Sequence, residues 1–282
     1  MTRLAFILLT VLQWAFAPVA AQDLLEDLTA DQAAGYVNAL KALDAKDYAT
    51  AFEELTPLAE AGHSRSQYLL GLAYDQGVGI PNDNGKAMQW FKLAGHQGYA
   101  YAQFAAGNGY HNGRGVPQDD KEAMKWYRLA AKQGHSGAQF NLGFMFENAR
   151  GVPQDYTEAV KWYGLAAEQG LASAQFNLGG MYREGLGVLQ NYTEAGKWWG
   201  LAAEQGDADA QSNLGAMYVF GHGVTQDNIM AHMWYNIASA NGDNEAGKWR
   251  DKRAGLMTRE DISTAQAMAR ECMSSGYQRC GY

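Results

Sequence analysis

The chain has 282 residues, 47% of them hydrophobic and 18% charged, which is enough apolar content for a continuous core. Its formal net charge of -8 argues against a nucleic-acid partner, because that affinity rests on Lys and Arg neutralising phosphates, and against charge-driven binding to an anionic membrane surface. An acidic balance of this kind mostly signals solubility.

The first stretch reads separately from the rest. Arg3 is a short positive region, Leu4 to Phe16 form an apolar run, and Pro18-Val19-Ala20-Ala21 offer small residues for cleavage before Gln22. Residues 1–21 are therefore expected to be a secretory signal peptide. The run is short for a bilayer span, so no membrane insertion is expected after cleavage, and the location is expected to be periplasmic or secreted.

Residues 22–47 are expected to form an N-terminal helical cap. Thr29 and Gln32 have the spacing of a capping box opening a helix to about Ala45, and a turn at "DAKDY" leads into a helix over about Tyr48–Ala61. A 36-residue period then takes over. The phrase "MQWFKLAGHQG" returns as "MKWYRLAAKQG", "VKWYGLAAEQG", "GKWWGLAAEQG" and "HMWYNIASANG", with Trp90, Trp126, Trp162, Trp198 and Trp234 in one column. A fixed period in this range specifies stacked repeats whose elements contact mainly their neighbours.

Each period holds two helical patterns. In the copy at residues 156–191, Ala159, Trp162, Tyr163 and Ala166 share a face of a helix from about Tyr156 to Gln169. Asp155 precedes it as N-cap with Glu158 three positions on, a near capping box repeated by Asp119/Glu122 and Asn191/Glu194. Gly170 is expected to close it in a left-handed conformation. The next helix, about Ser173–Arg183, carries an apolar stripe of Ala174, Leu178 and Met181. Gly179 returns as Gly71, Gly107, Gly143 and Gly215; glycine costs a helix about 1 kcal/mol, so its return predicts a neighbouring helix too close for a Cβ. The Trp column, and Tyr74, Tyr110, Phe146, Tyr182 and Tyr218, read as inter-repeat core rather than as a sugar platform. Phe104, Phe140 and Phe176 read as packing residues.

Beyond residue 247 the pattern decays, and 248–282 are expected to be a C-terminal helical cap in which Thr258 opens a last helix to about Met273. The two cysteines, Cys272 and Cys280, are an even pair in an exported chain and are expected to form a disulfide; a metal role would need ligands that no neighbouring histidine supplies.

The phrases "A-Q-F-N-L-G-x-M-Y-x-x-G-x-G-V" and "A-x-x-W-Y-x-L-A-A-x-Q-G" resemble the Sel1-like repeat family, a relative of the tetratricopeptide repeat, over roughly residues 48–247. The resemblance implies an all-α, right-handed α-solenoid of stacked helix-turn-helix repeats and an exported adaptor that binds a protein or peptide. It also implies that the "AQFNLG" helices line a concave groove. Asn141, Asn177 and Asn213 share a position there which related domains use to hold peptide backbone or a carboxylate. An amide has donors and an acceptor and suits an extended peptide; alternatively, each asparagine bonds its neighbouring helix. Ala105 and Leu69 break the ladder, with Asn108 one turn along as a partial substitute. Phe144, Glu147, Asn148, Arg183 and Glu184 are the expected selectivity positions.

Searches for chemistry find little. Gly242 to Lys248 fits the first part of a phosphate-binding loop, but Trp249 stands where Ser or Thr is required and no strand precedes it. No zinc-binding His-Glu-x-x-His, no Gly-x-Ser-x-Gly and no Ser-x-x-Lys occurs. No catalytic residue, metal or cofactor is assigned. Two further readings stay open. One is an envelope enzyme of β-lactamase-like or peptidoglycan-related activity, which the resemblance implies only through cysteine-rich relatives whose per-repeat cysteines this chain lacks. The other is a structural scaffold of an envelope complex.

Overall fold

The computed structural model describes residues 28–280. The expected signal peptide and the first part of the N-terminal cap, residues 22–27, lie outside the described residues. Among the described residues the chain forms fourteen α-helices and no strand. It divides into two compact units, Met1–Gln133 and Gly134–Tyr282.

In the first unit the helices are α1 (Ala30–Asp44), α2 (Tyr48–Glu60), α3 (Ser64–Gln76), α4 (Asn84–His96), α5 (Ala100–Asn112) and α6 (Asp120–Lys132), each packed on the next. Thr29 and Gln32 form the expected reciprocal capping box, so α1 begins where the sequence places it. It buries Tyr36, Ala39, Ala42 and Leu43 at helical spacing against Leu55, Leu58 and Leu70 of α2 and α3.

In the second unit the helices are α7 (Ser136–Glu147), α8 (Tyr156–Glu168), α9 (Ala172–Glu184), α10 (Tyr192–Ala203), α11 (Ala208–Phe220), α12 (Asn228–Ala240), α13 (Asn244–Ala254) and α14 (Arg259–Ser274). Successive helices from α7 to α13 pack pairwise, and α14 returns onto α12. That return is visible in burial. Ile237 of α12 is 0% exposed, whereas Leu201, its counterpart one repeat earlier, is 37% exposed. Ala265, Ala269 and Cys272 of α14 complete the cluster around Trp199, Trp234 and Ile237. The expected disulfide is present between Cys272 and Cys280.

Three local expectations are refined. Gly170 does take a left-handed φ of 87° at the end of α8. The near capping boxes are one-sided: Asp155 accepts from the backbone of Thr157 and Glu158, but Glu158 turns to Lys161 and Trp162 instead of reaching back. The reason is that the Asp155 amide already donates to the Phe146 carbonyl at 3.0 Å, as Asp119 does to Tyr110 and Asn191 to Tyr182. The donor that a reciprocal box would satisfy is closing the loop between the two helices of a repeat.

The repeated glycine faces a side chain rather than a helix backbone. A Cβ on Gly143 would lie 2.6 Å from the Tyr163 ring, and one on Gly179 would lie 2.6 Å from the Trp199 indole. The residue after the repeated tryptophan is thus the central packing group of its repeat: Phe91, Tyr127, Tyr163, Trp199 and Tyr235 are all buried. In the tryptophan column itself only Trp126 and Trp234 are buried, while Trp90, Trp162 and Trp198 are half-buried.

A further column was not anticipated. Gln67, Gln103, Gln175 and Gln211 are buried, and each donates its amide to the carbonyl eight residues earlier, at the end of the preceding helix, at 3.0–3.1 Å. Each also accepts an amide from thirty residues downstream: Gln97, Gln133, Gln205 and Asn241 respectively, at 2.7–2.8 Å. Buried Gln139 likewise accepts from Gln169 at 2.6 Å. A buried amide is tolerated only when its donors and acceptor are satisfied. Gln67, Gln103, Gln175 and Gln211 meet that condition and tie their hairpins to the preceding helix.

Candidate functional site

The second unit carries the asparagine ladder. Asn141, Asn177 and Asn213 are half-buried on α7, α9 and α11, two positions after the buried glutamines and one before the buried leucines. This places the ladder at the edge of the packed face rather than inside it. The C-terminal half of the same helices carries the expected selectivity positions. α9 ends with Gly185 in the left-handed region, φ 72°, which turns the chain away and leaves Arg183 and Glu184 at the rim.

Several of these side chains already have partners. Glu147 accepts the Tyr163 hydroxyl at 2.6 Å. Burial, reinforced by that carboxylate, pushes the Tyr163 phenol well above the usual tyrosine range, while a hydrogen bond from Asn177 works against the rise. Asn177 therefore engages the chain's own tyrosine. Asn148 is exposed and donates to the Phe144 carbonyl at 2.9 Å, finishing α7, while the Phe144 ring stands 36% exposed. Arg183 pairs with Glu184 at 2.7 Å and lies over the Trp199 ring at 5.6 Å from its centre.

Asn213 lines a cavity of about 380 Å³ with Trp199, Ala216 and Met217. Arg183, Glu184, Tyr192, Phe220 and His222 also line it. The last three stack: Tyr192 and His222 have ring centres 4.4 Å apart at 25°, and Phe220 and His222 5.6 Å apart at 28°. Sequence reasoning singled out Asn213, Arg183 and Glu184 but missed the three rings, which lie in the loop and helix ends that frame the repeat.

Asn108 belongs to the first unit. It accepts the Tyr127 hydroxyl at 2.7 Å and lines a cavity of about 200 Å³ with Leu72, Met88 and Phe104. An Asp75–Arg114 ion pair of 2.9 Å closes the rim. Burial raises the Asp75 carboxyl above its usual range, and Arg114 opposes that shift.

Among the described residues no group of three or more His, Cys, Asp or Glu side chains is placed to hold a metal ion. His63 and His135 share a repeat position and stand at the N-termini of α3 and α7; His135 accepts the Ala138 amide at 3.2 Å. Among the described residues no helix is long and apolar enough to cross a membrane.

Helical hairpins stacked at a 36-residue period, with a packed aromatic in each, define an α-helical repeat protein of the solenoid class. The Sel1 repeat profile matches residues 64–99, 100–135, 136–171, 172–207 and 208–243, and the chain belongs to the Sel1 repeat family. It is similar to a protective antigen of uropathogenic Escherichia coli strains displaying an SLR fold, at 35% identity and a TM-score of 0.73, covering 81% of this chain and 49% of that one. The chain thus spans about half the length of that relative. It is also similar to a Sel1 repeat protein from Oxalobacter formigenes, at 32% identity and a TM-score of 0.73, covering 83% of this chain and 98% of the other. No curated protein matches it. Sel1 repeat proteins generally mediate protein–protein interaction, and the fold is typically a non-catalytic scaffold.

Proposed function

We propose that the protein is an exported interaction module that binds an extended peptide or protein segment along the asparagine-bearing face of α7, α9 and α11. The observation that carries this reading is the half-buried ladder of Asn141, Asn177 and Asn213, beside a cavity that one large side chain would fill. Amides at the edge of a packed face meet a guest backbone without leaving a buried donor unpaired. The disulfide fits an oxidising compartment, as export requires. The test is a photo-cross-linker at Phe144, compared with one at Lys197 on α10. Capture from Phe144 that disappears in the Asn141→Ala/Asn177→Ala/Asn213→Ala variant supports the reading. Capture that persists in a folded triple variant removes the ladder from the binding mechanism.

A second reading has its own observation. α13 buries only Ala246, and Trp249 and Leu256 are 46% and 66% exposed, so the terminal hairpin presents an apolar surface by which a larger envelope assembly could hold the chain. Cross-links that map to residues 248–280 rather than to α7–α11 would favour this scaffold role. Turnover of a chromogenic β-lactam by the purified protein, abolished by no groove substitution, would instead favour the enzymatic alternative.

A further inference from the structure

The cavity at Asn213 differs from its counterpart in the first unit in a way that bears on the guest. The two occupy the same register of the repeat, 108 residues apart. Where the first cavity has Asn84, Asn112 and Arg114, the second has Tyr192, Phe220 and His222. The two intervening copies have Asp120, Asn148 and Arg150, then Tyr156, Glu184 and Leu186. All three positions become rings only once, and there the rings form a continuous stack.

That stack is not part of the core. Phe220 is 67% exposed, and His222 is exposed as well. A large ring left mostly open to water on a helix end buries little apolar area for the fold, whereas it offers an apolar face to a guest. The lining from Ala216 and Met217 is apolar, and thioether sulfur packs well on aromatic edges. The charges are already balanced, since Arg183 is paired with Glu184 on the same rim. In the first cavity the Asp75–Arg114 pair bridges the corresponding rim, so that site is latched by its own side chains.

We propose that the Tyr192–Phe220–His222 wall is a specificity pocket for one neutral aromatic side chain of the bound segment. The inference rests on the peptide-binding reading above and names the residue type that the segment must carry. The ring enters against Phe220 and His222, its edge meets Met217, and its own backbone leaves toward Asn213. A space of about 380 Å³ is large enough for one such side chain.

The test uses single-residue probes, N-acetyl-tyrosinamide, N-acetyl-leucinamide and N-acetylglucosamine, with NMR detection at the labelled Met217 methyl group. The tyrosinamide is expected to shift that signal saturably and to bind about five-fold tighter than the leucinamide, the preference a ring–ring contact provides. Phe220→Ala/His222→Ala should abolish the preference while the chain stays folded with at most a small drop in its unfolding midpoint, because both side chains are exposed. An equal response to the leucinamide, a stronger one to the sugar, no saturable response, or a preference retained in the double variant each overturns the proposal. The Asn141→Ala/Asn177→Ala variant is expected to keep the preference, so failure of the ladder and failure of the pocket are told apart.

Discussion

Two adjacent glycines on α9 should respond oppositely to the same added methyl group. An alanine Cβ at Gly179 would lie 2.6 Å from Cδ1 and Nε1 of Trp199, nearer than carbon atoms pack. The indole cannot simply move away. It is 2% exposed, its N–H donates to the Phe176 carbonyl at 3.1 Å, and Arg183 covers its face. Relieving the clash costs about 1–3 kcal/mol of overpacking strain, and displacing the indole sacrifices about 1 kcal/mol more in the hydrogen bond. The helix recovers up to about 1 kcal/mol from the lower backbone entropy of alanine. Gly179→Ala should therefore destabilise by about 1–3 kcal/mol net. Gly180, the next residue, has no heavy atom within 4 Å of its would-be Cβ, so Gly180→Ala keeps only the helical gain and should stabilise by about 0.5–1 kcal/mol. Urea unfolding followed by tryptophan fluorescence measures both. If the two variants share a midpoint, the close approach of Trp199 is not what requires glycine at that column.

Other consequences can be checked by the same unfolding assay. Gln175→Leu removes one donor from the Ala167 carbonyl, which keeps the Gly170 amide, and the acceptor of the exposed Gln205 amide, and should cost about 1 kcal/mol. His135 is depressed below 6.5 by burial, and its Nδ1 accepts the Ala138 amide; its contribution is full above pH 6.5 and is lost as pH falls through the lower folded value. His135→Asn, which keeps a capping acceptor that cannot titrate, should flatten the acid side of the stability profile. Tyr163 is shifted the other way, so its native form stays protonated while the unfolded phenol ionises near pH 10; stability should fall above pH 10, and Tyr163→Phe should lessen that slope at the expense of the Glu147 bond. Reduction of Cys272–Cys280 removes a short-loop constraint of about 2–3 kcal/mol and should raise hydrogen exchange in α14 first.

The architecture was legible because it is a consequence of repetition. Tryptophan, glycine and alanine columns at one spacing define hairpins, caps and the stripe that each helix buries, and these local rules do not depend on knowing the neighbours. The glycine column was legible in kind but not in cause: periodicity announces a close approach without saying whether a backbone or the Trp199 indole makes it. The glutamine column was present in the sequence, since Gln67, Gln103, Gln139, Gln175 and Gln211 recur as regularly as the tryptophans. It escaped because a glutamine on a helix is ordinarily a solvated residue. Only the pairing of Gln175 with Ala167 and Gln205, eight and thirty residues away, turns it into a core group.

The candidate site was the hardest part to read, and for the opposite reason. Stability repeats from copy to copy, whereas specificity resides where copies differ, and a departure from the repeat looks like drift until space shows which departures meet. Tyr192, Phe220 and His222 are thirty residues apart at the extremes and belong to three different segments, the start of α10, the end of α11 and the loop after it. Each alone looks like ordinary variation between copies, since one repeat earlier the same positions hold Tyr156, Glu184 and Leu186. Their stacking at 4.4 and 5.6 Å, beside a ladder asparagine that lines a cavity, makes them a single surface. The same logic explains why Arg183 and Glu184 were found early: adjacent opposite charges at a helix end stand out in one dimension, although their pairing neutralises them. In a chain built from copies, the residues that break the period together in space are therefore the ones to test for recognition, and those that keep it are the ones to test for folding.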